Sequence, residues 1–164
     1  MNRYSIILAL LFFTSCQMQV PEAGSHAQDL VELRPLSSVE LKKGHRHELP
    51  LVFEIEPGYH IMADTGATDR WVYTQMTLEA GQGFLTDTPL FPSPDDLYLD
   101  DDTNPLYIFE NELEVKVSIL PSIMAESGSY NLRGQLLYQA CTDNKCFFPR
   151  ELDFEVPLQF GDRP

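Results

Sequence analysis

Cys141 and Cys146 are the residues of this chain whose types and spacing best suit chemistry. They lie in the run Tyr138-Gln139-Ala140-Cys141-Thr142-Asp143-Asn144-Lys145-Cys146-Phe147-Phe148-Pro149. A bridge between them closes a ring of about six residues, and loop entropy assigns such a ring roughly 2 kcal/mol, near the low end for structural disulfides. It is a weak staple. A short, exposed ring is easily reduced and reformed, which is what reversible thiol exchange needs. A small structural bridge in an exported domain is the plainer alternative. Zinc fits poorly, because two thiolates without a third and fourth ligand nearby do not complete a tetrahedral site.

Other constellations are weaker. His45, His47, His60 and Met62 are possible copper ligands by type, but His45 and His47 belong to the basic turn Lys42-Lys43-Gly44-His45-Arg46-His47, where surface exposure explains them. Tyr59 and His60 follow a Pro-Gly turn and read as strand packing, and Trp71, Tyr73 and Met76 read as core. The acidic run Asp95 to Asp102 lacks the alternating ligands and turn glycine of a calcium loop and reads as solvated. Spacing supports no Ser-His-Asp set, phosphate-cradling glycine loop or catalytic carboxylate pair, so hydrolase and nucleotide chemistry have no basis here.

The elements that must position the cysteines come from a chain of 164 residues, enough for one domain with an ordinary core. With 11 Lys and Arg against 25 Asp and Glu, the net charge is −14. That balance disfavours nucleic acid and electrostatic attachment to anionic lipid, so membrane contact is expected from apolar groups. Arg3 followed by the apolar stretch Ile6 to Phe13 is far shorter than the roughly 20 residues of a membrane span and reads as a signal peptide. Thr14-Ser15-Cys16 resembles the lipobox at which bacterial lipoprotein signal peptidase cuts before a lipid-modified cysteine, although Phe13 departs from the usual Leu. The expected organisation is a signal peptide over 1–15, a lipidated Cys16 with a flexible tether over 16–28, and one domain over 29–164. Gln17 after Cys16 leans toward the outer membrane, and lipidation of Cys16 leaves Cys141 and Cys146 as one pair in an oxidising compartment.

Period-two alternation predicts strands at Leu49 to Ile55, Leu113 to Ile119 and Leu152 to Phe160. Weaker strands are expected around Leu30 to Arg34, Tyr59 to Ala63, Val72 to Glu79 and Tyr130 to Ala140, with Pro157 at an edge position. No apolar stripe of helical period and length occurs. The prediction is an all-β, immunoglobulin-like antiparallel β-sandwich. The cysteines then fall at a hairpin end, and Pro89 to Pro105 reads as a long loop of functional interest.

The run Tyr138-Gln139-Ala140-Cys141, Cys146 and Pro149, with Gly58-Tyr59-His60-Ile61 upstream and Phe91-Pro92 between, resembles the N-terminal periplasmic domain of the thiol:disulfide interchange protein DsbD, the disulfide bond corrector family. The resemblance covers residues 30 to 160. It implies an immunoglobulin-like fold and a reversible pair that maps onto Cys141 and Cys146. Cys146 would form mixed disulfides and Cys141 would resolve them, without metal or organic cofactor. The implied partners are a membrane thiol reductant of DsbD or CcdA type and periplasmic thioredoxin-like proteins. Tyr138, Gln139, Lys145, Phe147, Pro149, Tyr59 and His60 would surround the pair. Lys145 would favour a thiolate, and Asp143 would oppose it.

The sequence departs from that family in two respects. The membrane and thioredoxin-like domains of full-length DsbD have no counterpart here, so such a protein would act in trans or not as an electron hub at all. The family's cap loop corresponds to Asp100-Asp101-Asp102-Thr103-Asn104-Pro105, which carries no aromatic; Tyr98, Tyr107 or Phe109 is expected to substitute, and Asp101 or Asp102 to raise a cysteine pKa. The competing expectation is a non-catalytic β-sandwich lipoprotein that binds another envelope protein and whose disulfide is structural.

Overall fold

Alternation of apolar and charged residues sets the two longest ladders of the fold. In the computed structural model, which describes residues 29–63, 71–79, 81, 83–98 and 104–161, the strands in chain order are β1 (Val31–Leu33), β2 (Val39–Lys42), β3 (His47–Ile55), β4 (His60–Met62), β5 (Gln75–Leu78), β6 (Phe84–Thr86), β7 (Asp95–Leu97), β8 (Leu106–Glu110), β9 (Glu112–Pro121), β10 (Gly128–Tyr138), β11 (Ala140–Thr142), β12 (Lys145–Cys146) and β13 (Arg150–Gly161). They form three sheets, ordered β1-β3-β9-β6, β2-β13-β10-β5 and β12-β11-β4-β8-β7. The first two make the sandwich. Leu49, Leu51, Phe53 and Ile55 of β3 and Leu113, Val115, Val117 and Ile119 of β9 point inward from one sheet. Leu132 and Leu136 of β10 and Phe154, Val156, Leu158 and Phe160 of β13 meet them from the other.

Phe53 and Phe154 meet edge to face across the sandwich at 5.6 Å, and Phe84 and Phe160 do so at 5.8 Å. Each such ring removes a large apolar area from water, worth about 1.5–3 kcal/mol. Gly134 occupies a core-facing position of β10, where a Cβ would stand 2.6 Å from both the Phe154 ring and the Thr77 carbonyl oxygen. The outward faces carry Arg34 with Glu54 and Glu112, and Arg133 with Glu155. Exposed pairs of this kind contribute at most about 1 kcal/mol each.

The expected all-β, immunoglobulin-like sandwich is the fold observed, with three differences. One pair, β13 with β2, is parallel. Pro157 lies in an interior strand, yet β2 covers β13 only from Leu158 onward, so its missing N–H falls beside the stretch β2 leaves open. The segment Pro89 to Pro105 is not a bare loop: β7 pairs with β8 through Asp95, Asp96 and Leu97, and Leu90 bridges to Lys116. Backbone pairing leaves the carboxylates of Asp95 and Asp96 exposed, so their charge does not oppose it.

The third sheet grows from the ends of sandwich strands. After β3, Gly58 at φ 84° turns the chain back into β4. Asn111 at φ 62° passes it from β8 into β9, and its carbonyl accepts from the Ile55 amide at 2.8 Å. Beyond β10, residues 140–146 form the β11–β12 hairpin that adds to β4. The region 1–28, including the expected signal peptide, Cys16 and tether, lies outside the described residues, as do Asp101 and Asp102.

Candidate functional site

Cys141 and Cys146 are direct cross-strand partners in the β11–β12 hairpin, bonded as a disulfide with their Cα atoms 3.9 Å apart. The Phe147 amide donates to the Ala140 carbonyl at 2.9 Å. Antiparallel ladders alternate bonded and non-bonded pairs, so the cysteines take the adjacent non-bonded position, where side chains lie closest. A two-residue strand at the sheet edge therefore carries Cys146.

Side-chain parity then decides what surrounds the pair. Cys141 pairs with His60 on β4, His60 with Glu110 on β8, and Met62 with Ile108. These residues share one face of the third sheet, while Ile61, Phe109 and Ala140 on the other face join the main core. The cysteine face makes a separate cluster: Met62, Ile108 and Cys141 are buried, with Trp71, Tyr73, Leu97, Leu106 and Cys146 half-buried against them. Cys141 retains 1% exposure, whereas Cys146 is partly open to solvent.

Gln139 holds this cluster closed. Its side-chain carbonyl accepts from the Val72 amide at 2.8 Å, and its Nε2 donates to the Phe147 carbonyl at 3.0 Å. One side chain thus ties the Trp71–Tyr73 segment to the strand leaving the hairpin. Thr74 adds a second tie, donating from both its amide and Oγ1 to the Met62 carbonyl at 2.8 Å.

His60 is a buried polar residue beside the pair, 7% exposed. Burial pushes its imidazole below the ordinary pKa, and the charges of Asp143 and Glu110 push back. The ring is held toward its neutral form. Asp143, in the hairpin turn, thus acts on the His60 imidazole.

Several expected neighbours sit elsewhere. Tyr138 points into the main core, where burial raises its phenol pKa and Arg150 acts against that. Lys145 projects on the face opposite Cys146, its ammonium 4.7 Å above the Phe147 ring. Alternation along β12, not sequence adjacency, sets that direction. Phe147 in turn packs on Tyr59 at 5.8 Å, against the main core. Pro149 is exposed, and Phe148 before it is 91% exposed. His47 does not join His60: its Nε2 accepts from the Lys42 amide at 2.9 Å within the β2–β3 turn.

The aromatic cover was expected from Tyr98, Tyr107 or Phe109. Tyr107 and Phe109 lie on the main-core face of β8, Phe109 stacked on Phe91, and Tyr98 is 61% exposed. Trp71 and Tyr73, read from sequence as core, are the aromatics packed on the cysteine cluster; Met76 does join the main core. Nothing local marked them, since the contacts that bring this segment to the pair, Val72 with Gln139 and Thr74 with Met62, join stretches distant in sequence.

Arranged this way, the hairpin offers a disulfide suited to thiol exchange, with Cys146 half-buried on the edge strand and Cys141 buried behind it. The sequence matches the family described as thiol:disulfide interchange protein DsbD, N-terminal, over residues 27–158. Comparison with curated protein sequences finds no match. Among solved structures, the chain is similar to the DsbD N-terminal domain of Neisseria meningitidis in the reduced form, at 18% identity over 65% of this chain and 74% of that one, with a TM-score of 0.39. It is also similar to the N-terminal periplasmic domain of ScsB from Proteus mirabilis, at 16% identity over 80% of this chain and 47% of that one, with a TM-score of 0.47. The periplasmic chaperone SfaE shows 12% identity over 79% and 56%, with a TM-score of 0.39.

Proposed function

Because this chain belongs to the family of DsbD N-terminal domains, we propose that it relays electrons in the periplasm through a reversible Cys141–Cys146 pair. Its donors and acceptors are a membrane thiol reductant and soluble thioredoxin-like proteins. The observation that carries the reading is the unequal burial of two bonded cysteines, Cys146 half-buried on the edge strand and Cys141 buried in the apolar cluster.

In the oxidised protein, a reductant thiolate attacks Cys146 Sγ, the Cys141–Cys146 bond breaks, and Cys141 leaves as a thiolate that takes a proton. The reductant's second thiol then attacks its own sulfur in the mixed disulfide and releases Cys146 reduced. Two electrons and two protons have entered the pair. Toward an oxidised partner the order reverses: Cys146 attacks, and Cys141 resolves the mixed disulfide and regenerates the ring. His60 faces Cys141 across the strands and is kept toward its neutral form, suited to receiving the Cys141 proton at that step. In this reading Asp101 or Asp102 raises a cysteine pKa, and Gln139 positions the cover of the pair.

The signal peptide over 1–15 and lipid attachment at Cys16 belong to the same proposal. They export the domain and hold it at a membrane by acyl chains, with residues 16–28 as tether.

The test is the reduction potential of the pair, measured by trapping free thiols after equilibration in glutathione buffers, together with mixed-disulfide capture by Cys141→Ser. A potential between roughly −180 and −270 mV and a captured thioredoxin-like partner are the expected results. A potential below about −300 mV with no capture would mean a locked structural bond and leave the domain as a binding module.

A further inference from the structure

A thiolate that opens a disulfide strikes one sulfur from behind, in line with the bond that breaks. Cys141 is buried and Cys146 half-buried, so the approach is to Cys146. The two face each other across β11 and β12, and β12 is the outermost strand of its sheet. The line from Cys141 through Cys146 therefore leaves the molecule over the edge of β12, and whatever carries the incoming sulfur lies along that edge. The backbone there is open. The hydrogen bond from the Phe147 amide to the Ala140 carbonyl makes those two a bonded pair, so Cys146, one residue back, turns its own N–H and C=O away from β11. Among the described residues no strand lies beyond β12 to receive them. An edge that offers a donor and an acceptor is a template for one more extended segment.

Phe148 stands two residues beyond Cys146 and, at 91%, is the most exposed large apolar side chain among the described residues. Its neighbours fix the backbone that carries it. On one side Phe147 is fastened by its amide to Ala140, by its carbonyl to Gln139 Nε2 at 3.0 Å, and by its ring to Tyr59 at 5.8 Å and the Lys145 ammonium at 4.7 Å. On the other side Pro149 locks its own φ and restricts Phe148 to extended backbone, and Arg150 enters β13 opposite Tyr138. The two adjacent phenylalanines thus divide the work: one ring ties the strand to the core, and the other is held out in solvent. A partner that buries a ring so placed gives up little chain entropy, and rigid aromatics of this kind are common anchors of protein interfaces.

We propose that the open backbone of Cys146 and the Phe148 ring together form the surface on which a folded protein dithiol docks. An extended segment beside the partner's reactive cysteine adds to β12, and Phe148 enters apolar surface next to that cysteine. The inference rests on the reading of a reversible pair and deepens it. The covalent chemistry is the exchange already written: the partner's thiolate bonds to Cys146 Sγ, the Cys141–Cys146 bond breaks, and two electrons and two protons pass from the partner's dithiol to the pair. A small thiol gains nothing from either contact, so the surface selects protein dithiols over free thiols such as glutathione.

Reduction of the full chain carrying Cys16→Ser, followed by alkylation and mass, is compared for dithiothreitol and for thioredoxin kept reduced by its reductase. Thioredoxin is expected to react with the larger second-order rate constant. Phe148→Ser is expected to lower that constant about tenfold, the effect of one interface anchor, with the dithiothreitol rate and the melting temperature unchanged, and Phe148→Tyr to restore it. In mixed disulfides of the Cys141→Ser protein, the Cys146 amide is expected to exchange its hydrogen more slowly with thioredoxin lacking its resolving cysteine attached than with glutathione attached. No reduction by either reagent would overturn the reversible pair itself. Thioredoxin no faster than dithiothreitol, no loss of rate in Phe148→Ser, or an equal loss with dithiothreitol would overturn the docking surface and leave the pair standing. Equal exchange of the Cys146 amide in the two mixed disulfides would overturn the added strand.

Discussion

The main sandwich core and the cysteine cluster are both apolar, but they differ in closure. In the core, Leu51, Phe53, Leu113, Val115, Leu132 and Val156 reach zero exposure between two sheets that cover each other. In the cluster, Met62, Ile108 and Cys141 are buried on one sheet face beside the half-buried Leu97 and Leu106 of the same sheet, with Trp71 and Tyr73 half-buried against them. A two-sided core ties its residues to global unfolding, whereas a one-sided cluster can open locally at lower cost. The two-sided closure thus belongs to the first region and the disulfide to the second.

The sharpest challenge to that division is Phe53→Ala. Loss of a fully buried ring packed on Phe154 is expected to cost about 3–5 kcal/mol in urea unfolding, with the reduction potential of the cysteine pair unmoved. A shifted potential would mean the two regions are one cooperative unit. The double change Cys141→Ser with Cys146→Ser is expected to cost about 2 kcal/mol, the worth of a six-residue ring, and to leave the sandwich folded. Unfolding at room temperature would show the bond to be structural after all.

A smaller change separates cover from bond. Gln139→Ala removes two hydrogen bonds worth about 1 kcal/mol each and frees the Trp71–Tyr73 segment. Reduction of the disulfide by dithiothreitol is expected to speed up several-fold, while Gln139→Glu, which keeps the acceptor for Val72, recovers part of the protection. Equal rates in all three proteins would place the gate elsewhere.

The smallest effect is a pH dependence. His60 is buried with its pKa below the ordinary 6.5, so the unfolded chain binds a proton the folded one refuses. Stability is therefore complete above about pH 6.5 and falls as the pH drops below it, levelling off once the folded imidazole also protonates. Urea midpoints taken between pH 7.5 and 5 should show this slope, and His60→Gln should flatten it. A slope unchanged by His60→Gln would put the titration on other groups.

The residues themselves determined the all-β sandwich, since period-two alternation at Leu49–Ile55, Leu113–Ile119 and Leu152–Phe160 needs only local sequence to state which faces are apolar. The cysteine spacing determined a local ring, and the flanking motif the family. Tertiary structure alone decided the rest. The short strands β7, β11 and β12 show too few residues for a period and exist because β4 and β8 offer them a ladder. Likewise, Lys145 lies beside Cys146 in sequence but across the strand in space, and Trp71 lies far away in sequence but against the cluster. Alternation records which side a residue faces, while which partner waits there depends on contacts between distant segments, and only the folded chain brings those together.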